Sequence, residues 1–343
     1  MELQFKKSNG PVDEIIERLF ELAGDVQHAS IVREMILACL KASQECRDRS
    51  DLKLMNSTVK EMRFTAKVFA PYRKTRKVSV FGSARTQPHE TVYRMARRLG
   101  RILGEAGYMV ITGGGPGIMQ AVNEGAGSNM SFGVNIRLPF EQRTNAILDG
   151  NPRSITYKYF FNRKVAFLKE TDAVAVFPGG FGTLDEAMET LTLVQTGKRD
   201  PLPIFLIDEP GGTYWRSWVH FVQDQLLARS YISKTDFTLL ETLESEKDVL
   251  ERLCLFYSRY HSLRYVGDRL VLRLLSVLDP VQVGKLQEEF QDLLTPRGRL
   301  ILGGPLPEEE DEPDLAELPR VVLDFNRKDF GRLKTLIDRI NTI

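Results

Sequence analysis

Apolar positions in residues 11–72 recur at helical spacing. Val12, Ile15, Ile16, Leu19 and Phe20 follow helical spacing, as do Ile31, Met35 and the Ile36 to Leu40 run. Pro11 suits the first turn of the first of these helices. A third segment, about 51–70, spaces Leu54, Val59, Met62 and Val68 among charged residues and stops near Pro71. A helical extension of this kind either caps the following region or joins subunits, and the pattern alone does not choose.

From residue 78 the periodicity changes. Val78 to Gly82 is a short β-type run, followed by a helical pattern over 88–106. Tyr108 to Thr112 is a second strand, then a glycine turn, a helix to about 126, and a strand from Ser131 to Ile136. Ile155 to Phe160 is ambiguous, and Phe161 to Glu170 reads as helix. Ala173 to Phe177 is a compact apolar strand, followed by a second glycine turn and a helix to about Thr196. Pro203 to Ile207 is a further strand, and Tyr214 to Ala228 a helix. Strands alternating with helices predict an α/β fold: a Rossmann-like, mostly parallel sheet flanked by helices. The aromatic-rich stretch 253–278 again looks helical. Glu308 to Asp314 is almost wholly acidic, which favours an exposed loop or linker. A β-like run from Arg320 to Phe325 and a helix over about 329–341 follow. These patterns divide the chain into a helical extension (1–74), a Rossmann-like region (75–255), and a small appended C-terminal region with the acidic loop (256–343).

Composition narrows the function classes. The chain has 343 residues, 27% charged and 42% hydrophobic, within the range of globular proteins. Lys and Arg number 47 against 46 Asp and Glu, so the charge balance supports neither nucleic-acid nor membrane binding as the main activity. Cys39, Cys46 and Cys254 form neither a disulfide framework nor a CxxC pair. No leader-like stretch opens the sequence and no apolar run approaches a membrane span, which gives a cytoplasmic protein as the expectation. His28, His89, His220 and His261 lack close metal-ligand spacing. No metal or cofactor is expected.

The strongest chemical signals are Ile111-Thr-Gly-Gly-Gly-Pro-Gly-Ile-Met119 and Val176-Phe-Pro-Gly-Gly-Phe-Gly-Thr-Leu-Asp-Glu186. Each follows a strand and opens a helix, so each aims backbone N–H groups above the sheet edge, where phosphate is the natural guest. Gly113, Gly114, Gly115, Gly117, Gly179, Gly180, Gly182 and Thr183 are therefore candidate phosphate-binding residues. Neither turn has the dinucleotide fingerprint, and no GxxxxGK[ST] loop is present. Arg163 and Glu186 are candidate reactive groups, and Arg85, on the turn Gly82-Ser-Ala-Arg85, is a candidate phosphate clamp. A carboxylate can stabilise positive charge and orient or deprotonate water, while a guanidinium can hold phosphate bidentately. Each has a plainer reading. Thr183-Leu-Asp-Glu186 has the form of a capping box in the first turn of its helix, and both arginines are otherwise surface residues.

These turns, with Arg163-Lys164 and the intact Pro178-Gly-Gly-Phe-Gly-Thr-Leu-Asp-Glu186, resemble the LOG family of phosphoribohydrolases, once mislabelled lysine decarboxylases. Gly133 to Gln142 and Leu193 to Lys198 resemble its longer bacterial branch. The resemblance implies cleavage of the N-glycosidic bond of a nucleoside 5'-monophosphate, AMP-like or a cytokinin riboside monophosphate, to free base and ribose 5-phosphate. It implies Arg163 and Glu186 as the catalytic pair, the two glycine turns as the ribose-phosphate cradle, and a homodimer or higher homo-oligomer. Asp185 stands where the family often has Glu, which keeps the charge. A nucleotide-binding regulatory protein without turnover, or a ribosyl or phosphoribosyl transferase, would use the same cradle.

Overall fold

A computed structural model describes residue 5, residues 8–139 and residues 144–343. Phe140, Glu141 and Gln142, the end of the segment Gly133 to Gln142, lie outside the described residues, as do 1–4, 6 and 7 of the stretch inspected for a leader. Contacts divide the chain into two compact units, Met1–Phe64 and Thr65–Ile343. The first unit holds α1 (Pro11–Ala23), α2 (Ala29–Glu45) and most of α3 (Arg49–Phe69). Pro11 occupies the first turn of α1, where its missing N–H removes no hydrogen bond.

The second unit opens with β1 (Lys77–Phe81), α4 (Thr91–Glu105), β2 (Met109–Thr112), α5 (Ile118–Ala126), β3 (Ser131–Ile136) and β4 (Ser154–Tyr157). It continues through α6 (Phe160–Glu170), β5 (Ala173–Val176), α7 (Phe181–Gln195), β6 (Ile204–Ile207), α8 (Tyr214–Phe221), β7 (Glu241–Leu243) and α9 (Glu246–Phe256). The seven strands pair in the order β4-β3-β2-β1-β5-β6-β7, every neighbouring pair parallel. The inner strands β1, β2, β5 and β6 are buried along their whole length, as a parallel sheet covered on both faces requires. The fold is therefore α/β with a parallel sheet, as the alternation predicts. The ambiguous segment before α6 becomes the edge strand β4. The helix expected from Tyr214 to Ala228 keeps α geometry only to Phe221 and continues as a π-helical turn, Val222–Leu227.

Connections lead from β1 outward to β2 on one side and resume with β5 on the other, so strand order reverses at the β1–β5 boundary. In open α/β sheets that boundary, at the carboxyl ends of the strands, leaves a crevice. The first glycine turn follows β2 and the second follows β5, the two neighbours of β1. All three loops thus emerge from one edge of the sheet.

The C-terminal part holds β8 (Tyr260–Val266), β9 (Arg269–Leu274), α10 (Pro280–Glu289), β10 (Leu300–Gly303), β11 (Arg320–Leu323) and α11 (Phe330–Thr342). It builds a four-stranded antiparallel sheet ordered β10-β11-β9-β8. Leu270, Leu272, Leu286, Phe290, Leu323 and Leu336 are among its buried core. The helix expected over 253–278 is corrected here: α9 ends at Phe256, and β8 and β9 form a hairpin in which Val266 faces Arg269. Gly267, at φ +59°, and Asp268 supply the two-residue turn that a right-twisted hairpin needs. The acidic segment is exposed at Glu308, Glu310, Asp311 and Asp314, as the loop reading expects, but not throughout. Glu309 is buried, and its carboxylate meets Arg273 at 2.6 Å and Arg320 at 3.1 Å. Arg273 and Arg320 face each other across β9 and β11, a repulsive pairing unless an anion lies between them.

Candidate active site

The short loop after β1 joins the two glycine turns. Ser83 donates its backbone N–H to the Pro178 carbonyl at 3.0 Å and accepts from the Ile118 N–H, also at 3.0 Å. Gly117, at φ +69°, caps α5, and a Cβ there would lie 2.3 Å from the Ser83 carbonyl oxygen. Only glycine permits both that backbone conformation and that approach.

The two turns then differ. In the first, Gly114, Gly115 and Gly117 are buried. The Gly114 N–H donates to Thr112 Oγ1 at 3.1 Å, and the Gly114 and Gly115 carbonyls accept from the backbone N–H and Nδ2 of Asn145. Gly113 is half-buried, and a Cβ there would approach Arg163 Nη2 to 3.1 Å. The second turn is open. Gly180 and Gly182 are exposed, Gly179 is half-buried and Thr183 is buried. Thr183 and Leu184 donate their N–H groups back to the Gly180 carbonyl. The N–H groups of Phe181 and Gly182, first-turn positions of α7, have no intrahelical acceptor.

A cleft of about 730 Å³ lies over this edge, within the usual range for small-molecule sites. It brings together Arg85, Arg163, Gly179, Gly180, Gly182, Thr183 and Glu186, with Ser83, Met119 and Phe160. Gly113, Gly114, Gly115 and Gly117 do not line it; Gly117 packs against the Ser83 loop, Gly113 beside Arg163 and Gly114 against Asn135.

Arg163 sits in the first turn of α6, with its guanidinium 5.3 Å from the Phe167 ring centre and 5.8 Å from that of Phe160. Its Nε is buried without a hydrogen-bond partner among the described residues. Burial pulls its pKa down, against the attraction of Glu186 and Asp185. Glu186 is 5% exposed, so its carboxylate is almost removed from water. Burial pushes that carboxyl above the ordinary range, although Lys164 and Arg163 pull it down; Glu189 and Asp185 add to the rise.

The capping-box reading of Glu186 fails on geometry. α7 starts at Phe181 with Gly180 as its N-cap and no side-chain cap. Thr183 and Glu186 are both inside the helix, Glu186 in its second turn, and the N-terminus is served by backbone alone. Sequence reasoning also passed over two contacts. Ser83, whose signal was its place in the Gly82–Arg85 turn, links both glycine turns. Tyr214 donates its hydroxyl to the Gly179 carbonyl at 2.7 Å, and no local pattern announced that. Among the described residues no group of His, Cys, Asp and Glu could hold a metal ion, and no helix is long and apolar enough to cross a membrane.

Residues 117–253 match the family model described as "Possible lysine decarboxylase". Curated relatives include cytokinin riboside 5'-monophosphate phosphoribohydrolase LOG3 of Arabidopsis thaliana, 27% identical over 185 residues, covering 52% of this chain and 82% of the relative. Probable cytokinin riboside 5'-monophosphate phosphoribohydrolase LOGL6 of Oryza sativa subsp. japonica is 24% identical over 188 residues, covering 54% and 73%. Among solved structures, the molybdenum cofactor binding protein from the phototrophic bacterium Rippkaea orientalis aligns over 52% of this chain and 94% of its own, at 20% identity and a TM-score of 0.37.

Proposed function

We propose, for a chain that belongs through residues 117–253 to the LOG family, that it hydrolyses the N-glycosidic bond of a nucleoside 5'-monophosphate. The observation that carries this reading is one cleft, at the sheet's switch point, lined by Arg163, a buried Glu186 and an open glycine turn. The phosphate rests on the free N–H groups at the start of α7, with Arg85 at the rim. Arg163 holds the sugar-phosphate in register. Breaking the bond from C1' to the base nitrogen leaves the electron pair on the base and positive charge on the ribose. Glu186 stabilises that charge and takes a proton from the water whose oxygen bonds to C1'. The departing base takes a proton from solvent, and Glu186 returns its own. A carboxyl raised by burial is a stronger base than an ordinary carboxylate. In this reading residues 75–255 carry the chemistry, no cofactor takes part, and 1–74 and 256–343 are appended regions.

The test is a panel of nucleoside 5'-monophosphates, each paired with its nucleoside, with free base and ribose 5-phosphate quantified together. Equimolar base and ribose 5-phosphate from monophosphates, and far weaker binding of nucleosides, is the expected result. Each charge-assisted hydrogen bond to phosphate contributes roughly 1.5–3 kcal/mol before desolvation. Binding without turnover would instead make the chain a nucleotide-binding regulator. Base release that depends on an added acceptor would make it a transferase.

A further inference from the structure

Lys164, the residue after Arg163, points not into the cleft but at three carboxylates of α7. Its Nζ lies 2.6 Å from Glu189 Oε2, 2.8 Å from Asp185 Oδ2 and 3.6 Å from Glu186 Oε2. The Lys164 side chain is 17% exposed and that of Glu186 6%, so water screens this pair weakly, whereas Asp185, at 59%, remains in contact with solvent. On α7, Glu189 is one turn beyond Asp185 and Glu186, so the three acids crowd one face and repel one another. Such a cluster closes around a single ammonium, which has three donors to share.

We propose that Lys164 is the positioning residue of this site, gathering Asp185 and Glu189 so that the Glu186 carboxylate keeps its place and its charge beside Arg163. The inference rests on the hydrolase reading, in which Glu186 must accept a proton. The groups facing Glu186 are Lys164 and Arg163 from α6 and Asp185 and Glu189 from α7. Lys164 is itself held up: burial alone would lower it, but hydrogen bonds to Asp185 and Glu189 outweigh that. It therefore stays charged wherever Glu186 titrates. Without it, Glu186 keeps two like-charged neighbours and its burial, and both favour the protonated acid. A protonated Glu186 neither accepts a proton nor stabilises cationic ribose.

The experiment measures Glu186 in two ways. One is the pH profile of kcat for AMP; the other is ¹³C-carboxyl titration of Glu186, assigned with Glu186→Gln. Lys164→Gln should move the acidic limb and the Glu186 titration together to higher pH. At acidic pH kcat should fall by roughly tenfold or more, with a much smaller loss at high pH, since a neighbouring opposite charge commonly moves a carboxyl by at least one unit. Lys164→Arg keeps the charge and should restore most of the profile. Glu189→Gln removes a like charge and should move both readouts to lower pH, a check that survives if Lys164→Gln does not fold. A loss of rate equal at all pH values, with the Glu186 titration unmoved, would make Lys164 a structural tie and overturn the inference. A wild type that turns over no nucleotide would sink the hydrolase reading instead, and the carboxyl titration would still decide whether Lys164 governs Glu186.

Discussion

At Glu186 the capping role suggested by the local sequence and the proposed chemical role come apart. The Thr-x-x-Glu spelling suggests a side chain that completes a helix start, yet α7 is capped by backbone at Gly180 and Glu186 is buried one turn further on. Glu186→Gln keeps the volume and removes only the charge and the basicity. Because no cap is lost, thermal unfolding should move little, and relief of a buried charge tends if anything to stabilise. Single-turnover release of base from AMP should fall by about 10²–10⁴-fold, the usual scale of acid–base catalysis. Near-wild-type chemistry in the folded variant would remove Glu186 from the mechanism. Arg163 differs in kind, since its buried Nε awaits a partner among the described residues. The glycines also separate at this scale: Gly114 and Gly117 are needed for close packing, whereas Gly180 and Gly182 are exposed at the cleft.

At the level of elements, what could be read from sequence followed the length of the signal. β3 spans Ser131–Ile136 and α6 ends at Glu170, as the periodicity predicts, because each repeats one pattern over a full element. The hairpin of β8 and β9 was missed although Gly267-Asp268 is a hairpin turn, since the aromatic spacing before it mimics a helix face. Nor could the partners of the acidic run be read: Arg273 lies 36 residues from Glu309 and Arg320 only 11, and the antiparallel register of β9 and β11 sets both against it. The same held for the cleft: its glycine turns were legible, but not that one is buried. The burial of Glu309 carries its own prediction. Its burial alone would raise the carboxyl, but the Leu306 N–H and the two arginines outweigh that and hold it below the ordinary range. Its stabilising contribution is therefore present above the unfolded-state carboxyl pKa and is lost as pH falls through the lowered folded value. Glu309→Ala leaves two arginines buried without their anion and should cost about 3–5 kcal/mol. Denaturant unfolding at neutral pH measures this, and a loss under 1 kcal/mol would show that water reaches the pair.

For the molecule as a whole, the open question is what the helical unit Met1–Phe64 does. On α1, Ile16 is buried at 3% exposure, while Ile15, Leu19 and Leu22 are 68%, 50% and 74% exposed. Those three recur at the spacing of a helical seam and leave an exposed apolar stripe beside Ile16. Isolated apolar side chains on a surface need no explanation, but a stripe along one helix marks a contact. The motif resemblance implies a homo-oligomer, and we propose that a second copy of α1 meets this stripe. Burying each such side chain contributes roughly 1.5–3 kcal/mol, so a symmetric pair of stripes is enough to bias association. Leu19→Asp combined with Leu22→Asp should therefore lower the mass in light scattering at micromolar concentration by one assembly step, with helical circular dichroism retained. If α1 instead folds against its own chain, the mass should stay as in wild type while the melting temperature falls. A wild-type protein that is monomeric throughout would rule out the subunit role for this stripe.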